Sequence, residues 1–158
     1  MRNCYGYCQG NCIHRTSIGK GIKMKEISQL VIPEDVRYTR DHEWARVEGE
    51  IVRMGVTDYA QEQLGDIVFV EVPQMGRRYA KGEECGALES VKAVAEVYMP
   101  LGGQIAGINS TLEGSPGLVN SSPYTDGWIA EVKPSEISDM EGLMTHNEYI
   151  EMLKGSRQ

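Results

Sequence analysis

The chemistry in this chain starts from one lysine. Lys92 stands in the pentapeptide Glu89-Ser90-Val91-Lys92-Ala93, with Cys85-Gly86-Ala87-Leu88 before it and Val94-Ala95-Glu96-Val97-Tyr98-Met99-Pro100 after it. Two apolar, β-prone runs with Gly and Pro at their outer ends predict two strands that meet at Lys92. A lysine at a hairpin tip stands clear of its own fold, so an enzyme can reach the amine and acylate it with a prosthetic group. The same position suits an ordinary solvated turn lysine, and the pentapeptide alone leaves both readings open.

Other reactive residues form no competing constellation. Cys4, Cys8 and Cys12 would make a stripe on a helix, but Gly6, Gly10 and Asn11 beside them work against a helix. Their spacing also matches none of the paired-cysteine zinc patterns, so no metal site is expected. Cys85 lies inside an apolar strand pattern and reads as a small core residue. His14, His42 and His146 are scattered, and there is no Gly-x-Ser-x-Gly elbow and no Cys-x-x-Cys. The chain therefore reads as a non-catalytic protein with no catalytic residues of its own. An iron–sulfur or metal protein built on the three early cysteines is a rival that metal analysis would decide.

A chain of 158 residues with 41% hydrophobic and 25% charged residues suits one folded domain without disulfide staples. The net charge of −7 argues against nucleic acid as a partner and fits docking onto basic protein surfaces. No apolar run approaches the length of a membrane span, so no membrane partner is expected. Residues 1 to 25 contain no Asp or Glu, whereas Arg2, Arg15, Lys20, Lys23 and Lys25 are basic. From Glu26 the composition turns acidic and apolar periodicity begins. Residues 1–23 are thus expected to be a disordered or non-native extension, and 24–158 the domain, with Met24 as an alternative start. A mitochondrial transit peptide or a metal-binding segment is the other reading of the extension.

The elements that must position Lys92 follow from pattern. Two strands are expected over 42–47 and 51–56 around a Glu48-Gly49-Glu50 turn. Thr57 caps a short helix over 58–64, which Gly65 closes. Further strands are expected over 67–72, 104–108 and 128–132, with a Ser, Gly, Asn and Pro-rich loop over 109–123. Ser138 to Glu141 and Thr145 to Glu148 both fit the capping box, which predicts two C-terminal helices. The whole is a mainly β fold, a hairpin sandwich or flattened barrel with a short central helix and C-terminal helices. Nothing in the pattern requires more than a monomer.

These residues, read together, resemble the glycine cleavage H-protein family. Glu-Ser-Val-Lys-Ala is similar to that family's lipoylation site, which makes the fold a lipoyl/biotinyl-type hairpin sandwich. Asp41-His42-Glu43-Trp44 resembles its His-Glu-Trp start, Gly55 to Asp66 its central helix segment, and Asn120 to Trp128 its late loop. The likeness runs from about Ile27 to Leu153, and residues 1–23 have no counterpart in it.

The resemblance implies lipoate joined by an amide to Lys92, on a hairpin that Glu89, Ser90, Val91 and Ala93 present to a lipoyl-attaching enzyme. It implies a carrier that takes an aminomethyl group from a pyridoxal-phosphate glycine decarboxylase to a tetrahydrofolate-dependent aminomethyltransferase. A flavin-dependent dihydrolipoamide dehydrogenase then reoxidises the dithiol. With no targeting signal recognised in the sequence, the expected location is the cytoplasm, or the mitochondrial matrix in a eukaryote. The family's arm-docking groove would lie near Asp41 and Glu43, where a carboxylate could pair with an ammonium on the arm. For Glu43, an ordinary exposed strand-end glutamate is an equal alternative. His42 and Trp44 read as structural. Departures from the family are Asp41 and Gly102 where serine is common, and Cys85 where an aromatic is common. An H-protein-like carrier serving another pathway, a lipoyl relay or sulfur oxidation, would keep Lys92 too. A biotin carrier is disfavoured because Val91 and Ala93, not Met, flank the lysine.

Overall fold

A computed structural model describes residues 26–156, and within them the chain forms nine strands. The expected extension over 1–23 lies outside the described residues, and so do Cys4, Cys8 and Cys12. The strands are β1 (Arg37–Tyr38), β2 (Glu43–Glu48), β3 (Ile51–Val56), β4 (Ile67–Glu71), β5 (Arg78–Tyr79), β6 (Glu84–Ser90), β7 (Val94–Tyr98), β8 (Gly103–Ile108) and β9 (Ala130–Pro134). They form two antiparallel sheets, a six-stranded one in the order β1-β2-β3-β9-β8-β5 and a three-stranded one in the order β4-β6-β7. The expected mainly β sandwich is the observed architecture. One core joins the sheets, with Met54, Ile105 and Val132 from the larger and Val70, Leu88 and Val97 from the smaller.

The turn chemistry sits where its residues require. Thr57 accepts a hydrogen bond from the Ala60 amide at 3.2 Å and so caps α1 (Asp58–Leu64). Gly65 then leaves the helix at φ 82°, a left-handed conformation that a side chain resists. The loop over 109–123 contains two short turns, α2 (Thr111–Gly114) and α3 (Leu118–Ser121). At the C-terminus, the capping box forms in α4 (His146–Ser156): the Thr145 amide donates to Glu148 and the Glu148 amide to Thr145.

The other expected C-terminal helix is a correction. Ile137–Gly142 is a 3₁₀ segment with no side-chain cap, and Ser138 lies inside it. The nine residues 135–143 between β9 and the next bridge leave room for only a tight connection. That bridge pairs Met144 with Tyr38, and it draws the segment against β1.

A second cluster, Tyr38, Trp44, Tyr124, Tyr149 and Leu153, fastens α4 and the late loop to the outer part of the larger sheet. Trp44 is fully buried and its indole N–H donates to the Pro123 carbonyl at 2.9 Å. Gly55 pairs with Trp44 across β2 and β3, and a Cβ there would sit 2.9 Å from the indole ring. Only glycine lets that ring lie flat against the sheet.

Candidate functional site

The β6–β7 hairpin runs from the pair Glu84 and Tyr98 up to Glu89 and Val94, with Lys92 exposed at its tip. Ser90 shapes the tip. Its hydroxyl accepts from the amides of Lys92 at 3.3 Å and Ala93 at 3.1 Å and donates to the Ala93 carbonyl at 3.2 Å. The backbone pair Ser90 N–H to Ala93 C=O, at 2.8 Å, closes the turn. Val91 is 76% exposed, Ala93 is exposed, and Glu89 faces solvent from the end of β6.

The tip also leans on a fixed corner. The Val91 amide donates to the Asp66 carbonyl at 3.3 Å, where α1 passes into β4. The Lys92 stem crosses Gly65, its Cε 3.6 Å from where a Gly65 Cβ would be. Asn120 locks this corner from below. Its Oδ1 accepts from the Ile67 amide at 2.9 Å, and its Nδ2 donates to Gln61 Oε1 at 2.8 Å and to the Gly65 carbonyl at 2.9 Å.

Asp41 and Glu43 lie elsewhere, at the far end of the hairpin. They line a cleft of about 310 Å³ together with Thr39, Lys81, Met99 and Leu143. Thr39 ties the loop that shapes it. Its hydroxyl accepts from the amides of Asp41 at 3.2 Å and Glu43 at 3.1 Å and donates to Glu43 Oε1 at 2.8 Å. His42 turns the chain at φ 70° and is held there by a 2.8 Å hydrogen bond between Nδ1 and the Tyr149 hydroxyl. Thr57 also donates its amide to the His42 carbonyl. Tyr149 and Tyr59 enclose the His42 ring, which is a structural role for this residue.

Glu43 is not the exposed strand-end residue that its sequence position allows, because it is 1% exposed. Burial raises its carboxyl from the ordinary value of 4.5 to about 8, against the opposing hydrogen bonds from Thr39 and the Tyr98 amide. That amide reaches Glu43 Oε2 at 3.2 Å. Tyr98 ends β7, and β7 is the outer strand of its sheet. Its free edge therefore connects the two places: from Lys92 to Tyr98 is about 20 Å of extended chain.

Cys85 packs in the intersheet core, as its pattern predicts, and burial pushes its thiol up to about 12. Sequence reasoning missed Thr39 and Asn120. Each is a short polar residue in a loop, the type that bonds nearby backbone amides, but the partners of Asn120 are far away in sequence.

A sandwich that presents one exposed lysine at a shaped hairpin tip has the build of a carrier domain. The glycine cleavage H-protein family matches residues 36–156, and the chain belongs to that family, the lipoyl carriers of glycine cleavage. The glycine cleavage system H protein of Anoxybacillus flavithermus is 45% identical over 124 residues, which is 78% of this chain and 98% of that protein. That of Bacillus subtilis is 49% identical over 123 residues, 78% of this chain and 97% of that protein. The crystal structure of a glycine cleavage system H protein from Mycobacterium marinum superposes with a TM-score of 0.72 at 37% identity, covering 78% of this chain and 99% of that one. No helix among the described residues is long and apolar enough to cross a membrane.

Proposed function

We propose that Lys92 carries lipoate in amide linkage and that the chain moves between a pyridoxal-phosphate glycine decarboxylase, a folate-dependent aminomethyltransferase and a flavin-dependent dihydrolipoamide dehydrogenase. The observation that carries this reading is the exposed Lys92 on a turn shaped by Ser90, in a chain of the H-protein family. The site suits the group: the lysine stem lies over Gly65, which adds no side chain to crowd it, and no ion-pair partner holds Lys92 among the described residues. Lipoate supplies the disulfide chemistry of aminomethyl transfer, and this chain supplies reach and shelter.

Shelter is the role we assign to Glu43 and Asp41. An ammonium group brought along the β7 edge into the cleft meets a carboxyl that burial keeps largely protonated near neutral pH. The cation favours the carboxylate, so its arrival expels a proton from Glu43 and leaves a charge-assisted pair in a site with little water. Asp41, exposed at the same cleft, adds attraction at the entrance.

Intact mass measures the attachment directly. The chain made with lipoate and a lipoate ligase should gain one lipoyl group, and Lys92→Ala should gain none. A Lys92→Ala chain that still gains the group would overturn the assignment.

A further inference from the structure

Beside Lys92 the smaller sheet shows solvent an apolar surface: Val68 is 52% exposed, Phe69 49%, Val91 76% and Val94 60%. Phe69 is the one phenylalanine of the chain, and it lies on the surface. An irregular register between Ile67 and Phe69 turns two successive side chains outward, where strict alternation would bury one. Phe69, Glu89 and Val94 pair in line across the three strands, and Glu71, Ala87 and Glu96 form the next row. The patch is thus apolar at its centre with Glu71, Glu89 and Glu96 in and around it. None of these carboxylates has an ion-pair partner among the described residues.

We propose that this outer face of β4, β6 and β7 is the docking surface for the enzyme that acylates Lys92, and that it fits an apolar recess ringed by Lys and Arg. The proposal rests on the carrier reading above. An enzyme that admits Lys92 to its active site must cover Val91 and Val94, because they flank it on the tip. Burying these valines and Phe69 supplies affinity, while the glutamates select a basic rim and speed encounter. A second copy of this chain would set like carboxylates against each other, and an anionic lipid surface would repel them.

Steady-state acylation of the unmodified chain by a lipoate ligase, with lipoate and ATP, tests the face. Phe69→Ser should raise KM for the chain about tenfold, with kcat within about twofold. The double variant Glu71→Lys/Glu96→Lys should raise it similarly and remove most of the dependence of KM on salt. Calorimetric Kd for the ligase should weaken in parallel. Val47→Ser, an exposed apolar change on β2, should alter neither quantity. Normal acylation with wild-type KM and Kd in both face variants overturns the docking face alone, and so does an equal effect of Val47→Ser. Dimerisation of the wild-type chain that Phe69→Ser abolishes, with KM unchanged, also overturns it by assigning the face to a second copy. A wild-type chain that takes up no lipoyl group overturns the carrier reading instead.

Discussion

At the scale of single residues, Glu43 carries an energetic burden that its neighbours make tolerable. Because burial raises its carboxyl to about 8, the folded chain binds a proton between pH 4.5 and 8 that the unfolded chain releases. Stability contributed by the neutral form is therefore complete below about pH 4.5 and is lost as pH rises through about 8. Glu43→Gln removes the titration. Both the Thr39 hydroxyl and the Tyr98 amide donate to the carboxyl, and the single amide oxygen of Gln can keep one of these two bonds. The melting temperature of the variant relative to the wild type should rise by several degrees between pH 4.5 and pH 9, by calorimetry across that range. A difference independent of pH would remove the charge from the explanation. This burial was not legible in the sequence. The cleft walls come from Lys81, Met99 and Leu143, all far from Glu43 in the chain, and a glutamate at a strand start ordinarily reads as exposed. Lys92 was legible because both strands and the turn that present it are contiguous.

Among the elements, the corner between α1 and β4 governs how firmly the hairpin is seated. Asn120→Ala removes three hydrogen bonds and leaves the buried Ile67 amide without its acceptor. We expect a loss of about 2 kcal/mol, seen as a lower melting temperature. Amide exchange should also quicken at Val91, whose bond to Asp66 depends on the corner. Protection at Val91 equal to the wild type would mean that the tip does not depend on this support. Most elements were legible where local chemistry decided them. Thr57 and Gly65 bracket α1, and alternation marks β2, β3, β6 and β7. The two-residue strands β1 and β5 were not, because they exist only through pairing with β2 and β8. The capping-box pattern at Ser138 misled because tertiary pairing of Met144 with Tyr38 overrode a local preference.

For the whole molecule, the question is how much chain the fold needs. The family match begins at residue 36, and 124 residues of this chain cover 98% of the Anoxybacillus flavithermus relative. The first described element is a 3₁₀ turn, Ile27–Gln29, and Ile27 packs with Leu30 against the Tyr149 and Leu153 cluster. We infer that a chain starting at Met24 keeps every described contact. It should fold with the melting temperature of the full chain and accept one lipoyl group at the same rate, by circular dichroism and intact mass. A lower melting temperature or slower acylation would give residues 1–23 a part in the domain.

The bond from the Val91 amide to Asp66, with the Ser90 hydroxyl holding the turn, has a consequence for transport. It fixes the pivot, so any tether on Lys92 begins at that side chain and not in the backbone of a loose loop. The volume such a tether sweeps is then set by side-chain rotation alone. Confinement of that kind keeps a carried group at an effective concentration on the order of millimolar at a docked partner. A hairpin free to flap would lengthen the tether and dilute its load, roughly as the −3/2 power of length. Rigidity at the tip thus acts as a concentrating device, and it comes from one serine and one backbone carbonyl.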